Sequence, residues 1–292
     1  MNLNINKNEP VMVTGATGFI ASWLVKKLID NGITVHAAVR NTNDSIKLAH
    51  LKNLEKGSSG KIIFFKSDLL EDGSYLKAMD GCSIVFHTAS PFNFRVTDNK
   101  KGFIDPAFIG TQNVLKSVNN TESVKRVVLT SSCAAIYGDA ADIAMYPGQV
   151  MTEEMWNTSS TETHNAYSYS KTIAEKEAWD ISKKQTRWKL VVVNPCFVLG
   201  PSISKNPTSG TFELISQLAD GSMKSGAAPF EIGAVDVKDV AEAHLKAAYL
   251  ESANGRNILY NKSLSILDIA NIIKDKLLYM NSIILFYRTI TF

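Results

Sequence analysis

Cysteine is scarce in this chain: Cys82, Cys133 and Cys196 are the only three in 292 residues, and no two form a C-x-x-C pair. So sparse and odd a set argues against a disulfide framework or a cysteine zinc site and fits a reducing compartment. Histidine is nearly as rare. His36, His50, His87, His164 and His244 share no metal-ligand spacing, so no metal is expected. No apolar run approaches the roughly 20 residues of a membrane span, and the polar first nine residues carry no secretory signal. These absences point to the cytoplasm and to no membrane partner. Charge of one sign is missing too: 31 Lys and Arg stand against 28 Asp and Glu, with no basic cluster interleaved with aromatics. A nucleic-acid partner is therefore not expected.

What is present is an ordinary apolar share, 45%, arranged in a regular alternation. Short apolar runs at 11–14, 34–39, 62–65, 83–86, 124–130 and 190–193 read as strands. Between them, 19–31, 45–54, 104–118 and 167–182 have helical period. In the first helix Ile20, Trp23, Leu24 and Leu28 share a face, and Gly32 stands where the helix should end. Alternating strands and helices predict an α/β fold, a doubly wound parallel sheet of Rossmann type. After residue 194 the rhythm loosens. Pro195, Pro201 and Pro207 make 195–210 read as a long functional loop, while 212–219, 237–250 and 264–278 read as helices of a small C-terminal substrate-capping lobe. The expected division is a dinucleotide-binding domain mainly in 1–194 and a capping lobe mainly in 195–292, with interleaved segments.

The run T-G-A-T-G-F-I-A-S (14–22) joins the first strand to the first helix. Gly15 permits a tight turn, Gly18 lets the backbone approach a pyrophosphate, and Thr17, Phe19 and Ile20 complete the cofactor-facing set. Ala21 takes the third position, where a small residue lets helix and strand pack closely. The helix N-terminus offers free N–H groups and partial positive charge to a phosphate. A glycine pattern that follows a strand and opens a helix is a dinucleotide signature rather than a mere turn. Where NAD-binding versions end the second strand in an acid for the ribose 2′-hydroxyl, this chain has Arg40, whose guanidinium suits the 2′-phosphate of NADP(H). Asp44 close by weighs against an exclusive preference. Asp68 and Leu69, after the third strand, are expected at the adenine edge.

A second constellation lies in Y-S-Y-S-K (167–171). Spacing i, i+4 puts the Tyr167 phenol and the Lys171 ammonium on one helix face, where the cation favours the phenolate and eases proton transfer. Ser132, just past the fifth strand, can hydrogen-bond a substrate carbonyl oxygen.

With these residues in order the chain resembles an extended short-chain dehydrogenase/reductase of the dihydroflavonol-reductase-like branch, which includes fungal NADPH-dependent aldehyde and ketone reductases. The resemblance runs from about Val11 to Lys276. It rests on the glycine turn, F-H-T-A-S-P-F (86–92), V-V-L-T-S-S (127–132), N-A-Y-S-Y-S-K (165–171), V-N-P-C-F-V-L-G-P (193–201) and V-D-V-K-D-V-A-E-A-H (235–244). It implies Tyr167 as general acid, Lys171 holding the ribose and tuning Tyr167, and Ser132 orienting the carbonyl. It further implies that Thr88, Ala89 and Ser90 flank the cofactor and that Pro195 and Val198 contact its nicotinamide end. Relatives so implied occur as monomers and as homodimers joined through 104–118 and 167–182.

Two departures stand out. Many relatives carry a relay asparagine on the fourth helix where this chain has Ala107, so a relay would run through water or Lys171; Asn113 reads as an ordinary helix residue. Relatives also continue for tens of residues beyond the helix that 266–278 resembles. The run 279–292 is apolar, aperiodic and unlike them, so the expected C-terminus is truncated or atypical and the capping lobe incomplete.

Other tempting residues read as scaffold. Asp236 and Asp239 fit an N-cap and a first-turn acid, His87 and His244 fit packed or hydrogen-bonded positions, and Cys133 and Cys196 fit small buried ones. Phe92, Phe94, Tyr137, Trp156 and Phe197 are candidate walls of an apolar pocket. The function expected is NADPH-dependent reduction of a small hydrophobic, aromatic or α-dicarbonyl aldehyde or ketone. Alternatives are a nucleotide-sugar epimerase or dehydratase of the same fold, and a non-catalytic NADP-binding or damaged paralogue.

Overall fold

Every side chain of β1 (Val11–Thr14) is buried, which requires cover on both faces of its sheet. The computed structural model, which describes residues 5–90, 96–223, 226 and 230–279, supplies that cover. Successive strand side chains point to opposite faces. Val11 and Val13 enter a core shared with α1 (Phe19–Asp30) and α2 (Ser45–Glu55). Met12 enters another, shared with α3 (Leu76–Met79), α4 (Asp105–Asn119) and a later helix.

The remaining strands are β2 (Thr34–Val39), β3 (Lys61–Lys66), β4 (Ile84–His87), β5 (Arg126–Thr130), β6 (Lys189–Pro195), β7 (Phe197–Leu199), β8 (Glu231–Asp236), β9 (Gly255–Leu259) and β10 (Lys262–Ser265). Among the described residues seven strands form one sheet in the order β3-β2-β1-β4-β5-β6-β9, every pair parallel. The strand order reverses between β1 and β4. At such a switch point the crossover connections diverge and leave a crevice beyond the carboxyl ends of the strands.

The remaining helices are α5 (Ala140–Ile143), α6 (Ala166–Ser182), α7 (Gly210–Ala219), α8 (Val237–Tyr249) and α9 (Ile266–Tyr279). The helices read from the sequence appear with ends shifted by about two residues or less. Helix α1 stops as expected: Gly32 turns at φ +81°, and the N–H groups of Gly32 and Ile33 bond the carbonyls of Ile29 and Leu28.

The C-terminal part divides differently from the sequence reading. Leu218 of α7 and Ile266, Ile269 and Ala270 of α9 share a small separate core with Leu199, Ile232 and Leu264. The sheet β10-β8-β7 backs it. Helix α8, assigned from sequence to the capping lobe, instead packs on α1, with Ala241, Leu245, Ala247 and Ala248 in the main core. Its apolar face cannot show from sequence alone which sheet it will cover. β9 likewise completes the main sheet beside β6, so 195–292 contributes to both layers. The segment read as a loop at 195–210 contains β7, too short and too near proline to announce itself. The run 280–292, with the atypical terminus expected there, lies outside the described residues, as do Phe92 and Phe94.

Candidate active site

The glycine turn meets the end of β4 directly. Gly15 has φ +59°, and a Cβ there would fall 3.0 Å from the Cβ of Ala89. Thr14 closes the contact from below: its hydroxyl accepts from the N–H groups of Thr88 (3.0 Å) and Ala89 (2.9 Å). With both acceptor positions filled, the Thr14 proton goes to Nδ1 of His87 at 3.0 Å, so His87 carries its own proton on Nε2, toward Thr111. His87 is scaffold, as expected, and burial pushes it down to about 3.

Beyond the turn, α1 begins with no side-chain cap and no acid in its first turn. Its N–H groups and partial positive charge remain available to an anion. Phe19 and Ile20 pack with Val198 in a small cluster, and the ring of Phe212 from α7 meets Phe19 edge-on at 4.8 Å. The lobe thus rests against the phosphate turn. Arg40 is exposed at the end of β2. Asp44 is occupied nearby, its carboxylate accepting from the Lys47 N–H at 3.0 Å as the N-cap of α2. Asp68 caps its own loop through the Leu70 N–H (2.9 Å). Asn113, read from sequence as an ordinary helix residue, donates to the Leu69 carbonyl at 2.8 Å and so fixes the expected adenine edge.

Tyr167 and Lys171 share a face of α6, with the ammonium 5.9 Å from the phenol ring centroid. Ser132 follows β5 and hydrogen-bonds the Tyr167 phenol. The sheet register thus brings together the three residues expected to react. Burial raises the Tyr167 phenol above its ordinary range, and the Ser132 hydrogen bond opposes that shift. The Lys171 cation beside it favours the phenolate, but in the structure desolvation prevails and keeps the phenol protonated. Burial lowers Lys171 to about 8, with Glu175 acting in the opposite direction. Next to Lys171 a small cavity with room for about one water molecule is bordered by His87, Ala107, Thr111 and Ser131. It lies at Ala107, where the resemblance implied an asparagine.

Continuing the β5–β6 register from Thr130↔Val193 brings Cys133 opposite Cys196, and their thiols share a hydrogen bond. That bond, with burial, holds the Cys133 thiol well above its ordinary range. Pro195 ends β6, buried beside this pair. Tyr137 borders the two thiols, and burial pushes its phenol up to about 12. Trp156, expected as a pocket wall, instead lies under the Arg256 guanidinium at 3.8 Å. His244 is buried scaffold: Nδ1 donates to the Val240 carbonyl and Nε2 accepts from Thr130, both at 2.7 Å. Asp236 caps α8 through the Lys238 N–H, with Asp239 in the first turn, as the spacing suggested.

Sequence reasoning missed a buried group around Glu175. Its carboxylate accepts from Ser131 Oγ (2.6 Å), Asn194 Nδ2 (2.8 Å) and Arg256 Nε (2.5 Å). One signal was available: Tyr167, Lys171 and Glu175 recur every four residues on one helix face. Nothing in the sequence marks Arg256 as its partner, because the two meet only through the β6–β9 pairing.

A parallel sheet with an open helix N-terminus at its switch point and a Ser–Tyr–Lys set at the next strand end defines a dinucleotide-dependent oxidoreductase. The profile of the NAD dependent epimerase/dehydratase family matches residues 11–261, and the chain belongs to that family as an extended short-chain dehydrogenase/reductase. It is 39% identical over 273 residues to cinnamoyl-CoA reductase CAD2 of Medicago truncatula, covering 92% of this chain and 81% of that one. Among solved structures it is similar to Gre2 of Candida albicans in complex with NADPH, with TM-score 0.77 and 32% identity over 94% of this chain and 85% of the other. It is also similar to yeast methylglyoxal/isovaleraldehyde reductase Gre2 complexed with NADPH, with TM-score 0.82 and 29% identity over 96% and 86%.

Proposed function

We propose that this protein is an NADPH-dependent carbonyl reductase converting a small hydrophobic, aromatic or α-dicarbonyl aldehyde or ketone to its alcohol. The observation that carries the reading is the Tyr167 phenol, hydrogen-bonded to Ser132 and facing Lys171 on the same helix. The residues fit the cofactor. Gly15 has no room for a side chain, the α1 N-terminus is uncapped, and Arg40 stands exposed for a 2′-phosphate. Thr17, Gly18, Phe19 and Ile20 would hold the pyrophosphate end, Asp68 and Leu69 the adenine, and Thr88, Ala89, Ser90, Pro195 and Val198 the remainder. When bound, the cofactor supplies the reducing equivalent.

This chain's residues supply the rest of the chemistry. Ser132 donates a hydrogen bond to the carbonyl oxygen and stabilises the charge that develops there. Tyr167 then gives up its proton to that oxygen. A phenol held protonated by burial suits a general acid, since it releases the proton only when an alkoxide-like acceptor forms. Lys171 holds the ribose and offsets the phenolate left behind. The name of one similar protein, a methylglyoxal/isovaleraldehyde reductase, supports the aldehyde and α-dicarbonyl part of that range.

The test is spectrophotometric NADPH consumption against aldehydes, α-dicarbonyls and flavonoid-like ketones, with NADH in parallel. Tyr167→Phe is expected to reduce turnover by about 10²- to 10⁴-fold while NADPH still binds. Retained turnover in that variant would overturn the assignment.

A further inference from the structure

The Glu175 group lies behind the reacting side chains, and the proposed reaction makes no direct use of it. The Glu175 side chain is completely buried and that of Arg256 is 7% exposed. Besides Ser131, Asn194 and Arg256, the carboxylate accepts from Trp179 Nε1 at 3.3 Å. Asn194 donates also to the Ser132 carbonyl at 3.2 Å. Arg256, on β9, reaches the carbonyls of Ala135 (3.1 Å), Glu153 (2.9 Å) and Met155, with Trp156 under its plane. One carboxylate therefore ties α6, which carries Tyr167 and Lys171, to the end of β5, which leads into Ser132, and to β6 and β9. A buried ion pair adds little net stability over an apolar replacement, because desolvation offsets the attraction. Its place in the fold, one helical turn beyond Lys171, gives it another use.

We propose that Glu175 is a positioning residue for the Ser132, Tyr167 and Lys171 centre: one helical turn beyond Lys171, it locks α6 to the strand ends together with Arg256. This rests on the reductase reading for its meaning in catalysis. Among the described residues the titratable groups around Lys171 are Tyr167 and Glu175 on its own helix and His87 at the end of β4, with Cys133 beside Tyr167. The α4 side offers Ala107 and Thr111, and Arg256 of β9 acts through Glu175. His87 is held neutral near pH 8, and Cys133 and Tyr167 are held protonated. Among the described residues Glu175, itself paired with Arg256, is thus the charge that acts on Lys171.

The test follows the Lys171 amine directly. Competitive acetylation of the cofactor-free protein with acetic anhydride, read by mass spectrometry, reports the pH at which Lys171 loses its proton. A kcat–pH profile is measured in parallel. Glu175→Gln removes the negative charge and leaves Arg256, so Lys171 should deprotonate about one pH unit lower, with the alkaline limb of kcat moving the same way. Arg256→Gln leaves Glu175 unopposed and should move both to higher pH, and the double variant should fall between. Shifts in the same direction, or none, overturn the proposal, since a purely structural brace would not yield opposite signs. If Glu175→Gln does not fold, Arg256→Gln and the double variant carry the test. A wild-type protein that reduces no carbonyl compound would overturn the reductase reading and leave the acetylation result to decide the role of Glu175.

Discussion

A Cβ at position 15 would stand 3.0 Å from the Ala89 Cβ and 3.1 Å from its Cα, on a backbone already at φ +59°. Neither contact is with the end of a flexible side chain, so the strand ends themselves would have to move. Gly15→Ala should cost about 1–2 kcal/mol in backbone conformation alone, with the clash added, and should lower the melting temperature and NADPH affinity together. Calorimetry and cofactor fluorescence titration check both. Arg40 invites a cleaner prediction because it is exposed. If Arg40 holds the 2′-phosphate as proposed, replacing it with Ala removes a charge-assisted contact worth about 1.5–3 kcal/mol. NADPH affinity should fall about tenfold to a hundredfold while NADH affinity stays level. Equal losses for both cofactors would remove Arg40 from the recognition of that phosphate. Asp44 should not interfere, because its carboxylate is already committed to the N-cap of α2.

At the scale of elements, α8 shows how a correct helix can be put in the wrong layer. Its apolar stripe is evident in sequence, and its N-cap, Asp236, is read correctly from D-V-K-D. Its destination depends on β9, which continues the main sheet beyond β6 and draws the segment back across α1. Arg126 anchors the far end, its guanidinium donating to the carbonyls of Ala247, Ala248 and Leu250 at 2.7–3.2 Å, the orphan acceptors of a helix C-terminus. Leu245 is almost wholly buried in the main core. Leu245→Ala should cost about 2–5 kcal/mol and lower the main unfolding midpoint in urea. An unchanged main transition would mean that α8 melts separately, with the lobe.

For the whole molecule, the buried histidines set the response to acid. Burial pushes His244 down to about 4 and His87 to about 3, below the value near 6.5 of the unfolded chain. The unfolded state therefore takes up protons that the folded state refuses as pH falls below 6.5. The stability concerned is complete above that value and is lost progressively toward pH 4 for His244 and pH 3 for His87. For His244 alone the loss is on the order of 3 kcal/mol. Urea midpoints at pH 7.5, 6 and 5 should decline steadily, and His244→Gln should flatten the slope below pH 6.5. A variant as acid-sensitive as the parent would place the effect elsewhere.

Local rules decided much of this protein. A strand, a glycine turn and a helix start are neighbours in the chain, so their geometry follows from φ/ψ limits, capping and hydrophobic period. Gly15, Gly32 and the Tyr167–Lys171 pair were legible for that reason. Other contacts join residues far apart in sequence, and only strand pairing could bring them together. The thiols of Cys133 and Cys196 meet across the β5–β6 register, 63 positions apart. Glu175 meets Arg256 across β6 and β9, 81 positions apart. Period and propensity carry no information about such partners, because each depends on which strand lies beside which. The sequence by itself determined the glycine turn and the shared helix face of Tyr167 and Lys171. The tertiary structure decided what holds them in register, because that is a property of the closed sheet and not of any one segment.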